Sequence, residues 1–280
     1  MPRLGPRKNP ALRIADRHTT SGAAAIHAKE KWFHTHAPIF PIECRVAPGF
    51  ANHLCAGHGA TMILAPIRTE NPFGDPHLAW CDVGFAVSDM QMLQHDGPLG
   101  PVTLHLPKDL AQAVAKRRSE YLAGRLVAAL ALRQSGLPET VGRNGCAPVW
   151  PEGVAGSITH SKDRAIAAVS TRYRSLGLDC EALVSTDRAM QLAATIFSET
   201  EARLRPDALS FGTFFTLVFS AKEALYKALS PQLTSIPGFH EAALTALDPG
   251  VMAITMHGQT HRIRFRLSAQ DCVTLAILES

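Results

Sequence analysis

Residues 211–229, FGTFFTLVFSAKEALYKAL, are apolar along nearly their whole length yet carry Lys222, Glu223 and Lys227. The run has the length and composition of a long core helix, and Pro231 marks its end because proline cannot extend the hydrogen-bond ladder. Glu223 and Lys227 stand four residues apart, on one face. Such a pair on an exposed face stabilises a helix by about 0.2–0.5 kcal/mol. Buried and unpaired, either charge would cost several kcal/mol. The chain must therefore build apolar layers around this helix and still leave its charges a partner, a surface or a ligand.

A second pair of carboxylates lies at residues 177–181, GLDCE. In an extended segment, residues two apart point to the same face, so Asp179 and Glu181 converge while Cys180 points away. Two converging carboxylates suit a hard divalent cation. The same triplet in a solvated turn would carry no chemistry, and further acids such as Glu223 are needed to tell the two apart.

Around these segments the pattern is that of an α+β chain. Residues 61–67 (TMILAPI) and 83–87 (VGFAV) read as strands between turns. Residues 109–136 read as a helix, with Asp109 as N-cap and Gly136 as stop. Leu110, Val114, Leu122, Leu126 and Leu130 form its apolar stripe, and Lys116, Arg117, Arg118 and Arg125 decorate it. A loop rich in Gly and Pro follows, and then GSITHSKDRAIAAVS gives strand, turn and strand, with His160 before the turn. An amphipathic helix is expected around 187–204. HRIRFRLSAQDCVTLAILES repeats the strand–turn–strand layout and so hints at two related halves. The division expected is a mobile extension over 1–40, a first half over 41–175 and a second over 176–280.

Composition narrows the function classes. With 280 residues and 46% hydrophobic content, the chain can bury a substantial core. No apolar run approaches a membrane span and the N-terminus lacks a secretory stretch, so a cytoplasmic location is expected. The six cysteines are scattered without a C-x-x-C pair, as free thiols in a reducing compartment would be. The seven histidines between His34 and His105 form no metal-binding pattern. A net charge of +4 suits an acidic ligand or protein partner, without the strong basicity of a nucleic-acid binder.

Four stretches occur in an order that resembles the Sfp/EntD-type 4'-phosphopantetheinyl transferases: KRRSEYLAGRLVAA (116–129), APVWPEGVAGSITHS (147–161), GLDCE (177–181) and FSAKEALYKAL (219–229). The resemblance covers about residues 110–231. It implies a pseudo-dimer of two similar subdomains, each an antiparallel sheet packed on a long helix, with coenzyme A between them. It also implies transfer of phosphopantetheine to a serine of an acidic acyl, aryl or peptidyl carrier protein, by a monomer.

By the same resemblance, Asp179, Glu181 and Glu223 hold magnesium, and either Glu223 or a metal-bound water steered by Glu181 takes the serine proton. Lys227 meets the leaving phosphate, with Lys222 binding phosphate nearby. Arg117, Arg125 and His160 cradle the coenzyme A phosphates, with contacts from Ser157 and Thr159. Relatives often carry a basic residue near the position of Cys146, and here Arg143 is the replacement. The EntD-like motifs favour a siderophore pathway, while fatty acid, polyketide and other peptide pathways stay open. A hydrolase of the coenzyme A pyrophosphate and a noncatalytic binding module are the alternatives.

Overall fold

The computed structural model describes residues 62–279 except 146, 234 and 236. The extension expected over 1–40, together with Cys44, Cys55 and Cys146, lies outside the described residues. In chain order the first part forms β1 (Ala79–Gly84), β2 (Met92–His95), β3 (Val102–His105), α1 (Ala115–Gln134), β4 (Gly142–Asn144), β5 (Ala147–Val149), β6 (Ala155–Ser161) and β7 (Arg164–Ser170). Then come β8 (Ser175–Ala182), α2 (Thr186–Ile196), α3 (Glu199–Ala202), α4 (Phe211–Leu229), β9 (Ala242–Asp248), β10 (Val251–Met256), β11 (Gln259–Leu267) and β12 (Asp271–Leu278). None of the described helices is long and apolar enough to cross a membrane.

Two antiparallel sheets, ordered β1-β7-β6 and β8-β12-β11-β10-β9, form the centre. Alternation along β1 and β7 explains the layering. Cys81, Val83, Ala165, Ala167 and Val169 face α1 and pack on Leu122, Leu126 and Leu130. Trp80, Ile166 and Ala168, on the opposite face, pack on Leu176, Leu178, Cys180, Val273 and Leu275 of the second sheet. The other side of that sheet carries α4, giving helix, sheet, sheet, helix. This is the expected α+β arrangement, but the second sheet has five strands to the first sheet's three.

The two sheets share no backbone ladder among the described residues. Their edges β6 and β8 are joined by side chains: Ser157 Oγ accepts from Leu178 N at 2.9 Å and Thr159 Oγ1 from Cys180 N at 3.2 Å. Arg164 on β7 spans the same junction, bonded to Asp82 on β1 and to Asp271 on β12. Farther along, Arg264 and Arg266 of β11 flank the Phe73 ring, at 5.2 and 5.4 Å from its centroid.

Several sequence expectations are corrected. Asp109 is no N-cap: it lies in a short 3-10 turn, Lys108–Leu110, and pairs with Arg143, while α1 starts at Ala115 after an uncapped Val114. Val114 is exposed, so it leaves the apolar stripe, whereas Arg118 and Arg125 are buried. The helix expected over 187–204 breaks at Phe197, whose extended backbone carries its ring into contact with Phe211, Phe214 and Phe215. Ser198 then restarts the helix with a reciprocal capping box to Glu201. Residues 62–67 form only an isolated bridge, Leu64 to Phe85, rather than a strand.

Candidate active site

The site begins with a glycine. A Cβ at Gly177 would lie 1.8 Å from Ala224 O and 2.6 Å from Ala228 N, so only glycine lets β8 approach α4 this closely. The close approach puts Asp179, two residues on and facing the same way, directly against the helix. Ser220 Oγ donates to Asp179 Oδ2 at 2.8 Å, and Lys227 Nζ donates to Asp179 Oδ1 at 2.6 Å. The same ammonium donates to Leu178 O at 2.9 Å.

The electrostatics are those of a crowded acid cluster. Burial pushes the Glu181 carboxyl well above the ordinary carboxylate range, and the charges of Asp179 and Glu223 push it further while Lys227 opposes them. Burial alone would lower the Lys227 ammonium, but the charge and hydrogen bond of Asp179, with Glu223 and Glu181, hold it raised. Cys180 points into the opposite cluster of Trp80 and Leu178, and burial pushes its thiol up to about 12.

Carboxylate oxygens are the donors a hard divalent cation takes, and the mutual repulsion that raises Glu181 is what such a cation would relieve. In donor chemistry Asp179, Glu181 and Glu223 therefore fit magnesium. Among the described residues, however, no three His, Cys, Asp or Glu side chains stand close enough together to hold a metal ion. Here the positive charge against Asp179 is Lys227.

The N-terminal turns of α1 close the other side. His160, on β6, has Nε2 3.5 Å from Arg117 Nη1 and Nδ1 3.7 Å from Glu120 Oε1. Burial, then the charges of Arg117, Lys227 and Lys116, lower its pKa to about 3, so the imidazole is neutral near pH 7. Arg125 lies eight residues farther along α1, about 12 Å by helical rise. Its guanidinium donates to Val141 O and Gly142 O and sits 5.2 Å from the Tyr121 ring centroid. It lines a cavity of about 370 Å³ together with Thr103, His105, Tyr121, Glu139 and Val141.

Thus Asp179, Glu181, Glu223, Lys227, Thr159, His160 and Arg117 come together, with Arg125 at a distance. Four residues expected to contact the ligand, Lys222, Ser157, Thr159 and Arg143, have protein partners of their own. Lys222 is fully buried, and its ammonium donates to Ile196 O, Glu201 Oε1 and Phe239 O, leaving no donor for a phosphate. The hydroxyls of Ser157 and Thr159 accept from β8 amides. Arg143 is bound to Asp109 at 2.6 Å and to Gly145 O. Sequence reasoning missed Glu120, although it stands in KRRSEYL four residues after Lys116, and it missed the tight packing at Gly177.

Residues 106–170 match the family described as 4'-phosphopantetheinyl transferase N-terminal domain, and residues 175–277 match the 4'-phosphopantetheinyl transferase superfamily. Enterobactin synthase component D of Escherichia coli K12 is 32% identical over 169 residues, covering 59% of this chain and 80% of that protein. The chain belongs to the Sfp/EntD-type phosphopantetheinyl transferases. Within this family, the enterobactin synthase component D of Salmonella typhimurium is 41% identical over 140 residues, 49% of this chain and 58% of that relative's length. The chain thus spans a little over half of that relative. The phosphopantetheinyl transferase Svp of Streptomyces mobaraensis is 37% identical over 57% of this chain and 68% of its own length.

Proposed function

We propose that the protein moves 4'-phosphopantetheine from coenzyme A to a serine of an acidic apo carrier protein, releasing adenosine 3',5'-bisphosphate. The observation that carries this reading is the Asp179–Lys227 contact in a buried cluster with Glu181 and Glu223, facing the basic start of α1. Family membership supplies the reaction type, and the cluster supplies the charges it needs.

The carrier serine Oγ bonds to the phosphorus that bears pantetheine, and the bond from that phosphorus to the oxygen of the adenosine-bearing phosphate breaks. The serine proton passes to a carboxylate, Glu223 or Glu181. Lys227 meets the charge on the departing phosphate. Arg117, His160 and Arg125 hold the other phosphates of coenzyme A, Arg125 from the wall of its cavity. Magnesium, held by Asp179, Glu181 and Glu223, would neutralise the pyrophosphate.

The names of the enterobactin synthase relatives make an aryl or peptidyl carrier of siderophore assembly the first partner to test, with the enzyme acting as a monomer in the cytoplasm. The protein is incubated with coenzyme A, magnesium and a panel of apo carriers, and intact carrier mass is read. A gain of one phosphopantetheine, with adenosine bisphosphate released, is expected. Coenzyme A consumed with no carrier gaining mass would overturn the proposal in favour of hydrolysis, and binding without turnover would leave a noncatalytic module.

A further inference from the structure

Ser220, Glu223 and Lys227 stand at i, i+3 and i+7 of α4 and so share one face of the helix. The transferase reading gives roles to the last two and none to the serine. Across the interface from it lies a cross-strand pair: Asp179 on β8 stands directly opposite Thr274 on β12, and both side chains reach α4. Ser220 and Thr274 are fully buried, and Asp179 is 4% exposed. An ionised carboxylate only accepts, so the single proton of the Ser220 hydroxyl goes to Asp179 Oδ2, at 2.8 Å. The single proton of Thr274 then has two acceptors, Ser220 Oγ and Ser220 O, each at 2.9 Å. Both atoms belong to the serine, so Thr274 holds it whichever oxygen it serves. The other carboxylate oxygen, Oδ1, meets Lys227 Nζ at 2.6 Å and Thr159 Oγ1 at 3.4 Å. The last torsion of an aspartate is broad, so the backbone alone does not fix the carboxylate plane. Lys227 ends a long side chain that is 33% exposed, whereas Ser220 is short, buried and carried by the helix backbone. The serine is therefore the rigid one of the two donors.

We propose that Ser220, backed by Thr274, is a positioning residue: it holds Asp179 Oδ2 against α4 and so keeps Oδ1 turned to the acid cluster, where a divalent cation would be taken. This role rests on Asp179 being a metal ligand in the transferase reading. Partners that orient a ligating side chain typically matter about 10–100-fold for metal affinity. Without them the carboxylate must be ordered at the moment the cation binds. The competing account is purely structural, with Ser220 joining α4 to β12, and it needs the Thr274 bonds but not the one to Asp179.

Mn2+ is titrated into protein saturated with coenzyme A, and the free ion is read by electron paramagnetic resonance, with coenzyme A alone as the blank. Ser220→Ala should weaken Mn2+ binding about tenfold or more. Thr274→Val keeps the serine and its bond to Asp179, so its Mn2+ affinity should stay within about threefold of wild type. Both variants should lower the urea midpoint. In turnover, S220A should need about tenfold more magnesium for half-maximal transfer. Unchanged Mn2+ affinity in S220A would overturn the proposal. So would an equal fall in S220A and T274V, which would trace the effect to the α4–β12 joint. Should S220A fail to fold, S220C decides, because its thiol is a weaker donor of similar size. A clear loss of Mn2+ affinity in S220C supports the proposal, and wild-type affinity overturns it. Wild-type protein that takes up no Mn2+ beyond the blank would remove the metal reading of Asp179 and the proposal with it. Mn2+ bound with no transfer to any carrier would sink the transferase reading alone.

Discussion

Lys227 Nζ lies 2.6 Å from Asp179 Oδ1, so the two charges that family resemblance assigns to different partners, a phosphate and a metal, are bonded to each other. Each is the other's counter-charge in a cluster that holds two more acids. Removing either should therefore damage both chemistry and fold. Asp179→Ala and Glu223→Ala should lower transfer by at least about 10²–10³-fold, as removing a preorganised electrostatic group does. Intact-mass assays on a cognate carrier check this, and near-normal transfer by either variant would refute the assignment. Chelation should stop transfer, and magnesium should restore it.

Lys222 supplies a different prediction. Its ammonium is buried against Glu201, so Lys222→Met alone should cost about 3–5 kcal/mol by stranding that carboxylate. The double variant K222M/E201M, with both charges gone, should recover part of the loss, the rest remaining because Ser198 N and Leu244 N lose their acceptor. Urea midpoints for the single and double variants give the coupling. KM for coenzyme A in the double variant should stay near wild type, whereas a phosphate ligand at 222 would raise it sharply.

Gly177→Ala tests the close approach of β8 to α4. The new methyl would overlap backbone atoms, which cannot rotate aside. A loss of at least about 3 kcal/mol is expected, at the upper end of the cost of overpacking. Any folded fraction should transfer poorly, because Asp179 moves with the strand.

His160 sets part of the acid limb. In the unfolded chain it takes a proton as pH falls through 6.5, but the folded chain refuses that proton until about pH 3. The unfolded state therefore binds more protons across this window, and stability falls as pH drops through it. In His160→Gln, stability should depend less on pH between about 6.5 and 3. Denaturant midpoints at several pH values decide it, and parallel curves for the two proteins would refute the burial argument.

Much of this architecture is legible in the residue order, because period and composition report local structure directly. The apolar run at 211–229 becomes α4, and the two strand–turn–strand segments become the β6–β7 and β11–β12 hairpins. The face shared by Asp179 and Glu181, and the opposite face for Cys180, follow from strand alternation alone. What the residue order does not carry is tertiary choice. Lys222 and Glu223 are adjacent, and only the fold shows that the first turns into the Glu201 pocket and the second toward the acid cluster. Phe197 looks helical until three aromatic rings draw it inward. That Ser157 and Thr159 also join the two sheets is hidden because a hydroxyl's partner, an amide 21 residues away, cannot be read locally.

That pair of hydroxyls has an evolutionary consequence. A backbone ladder tolerates nearly any side chain, so strands paired in that way drift freely in sequence. The joint between β6 and β8 instead requires an oxygen at two alternate positions, 157 and 159. Alanine at either position would leave a buried amide without its acceptor. The junction between the two sheets is therefore fixed by particular side chains, where pairing within each sheet is fixed by backbone alone.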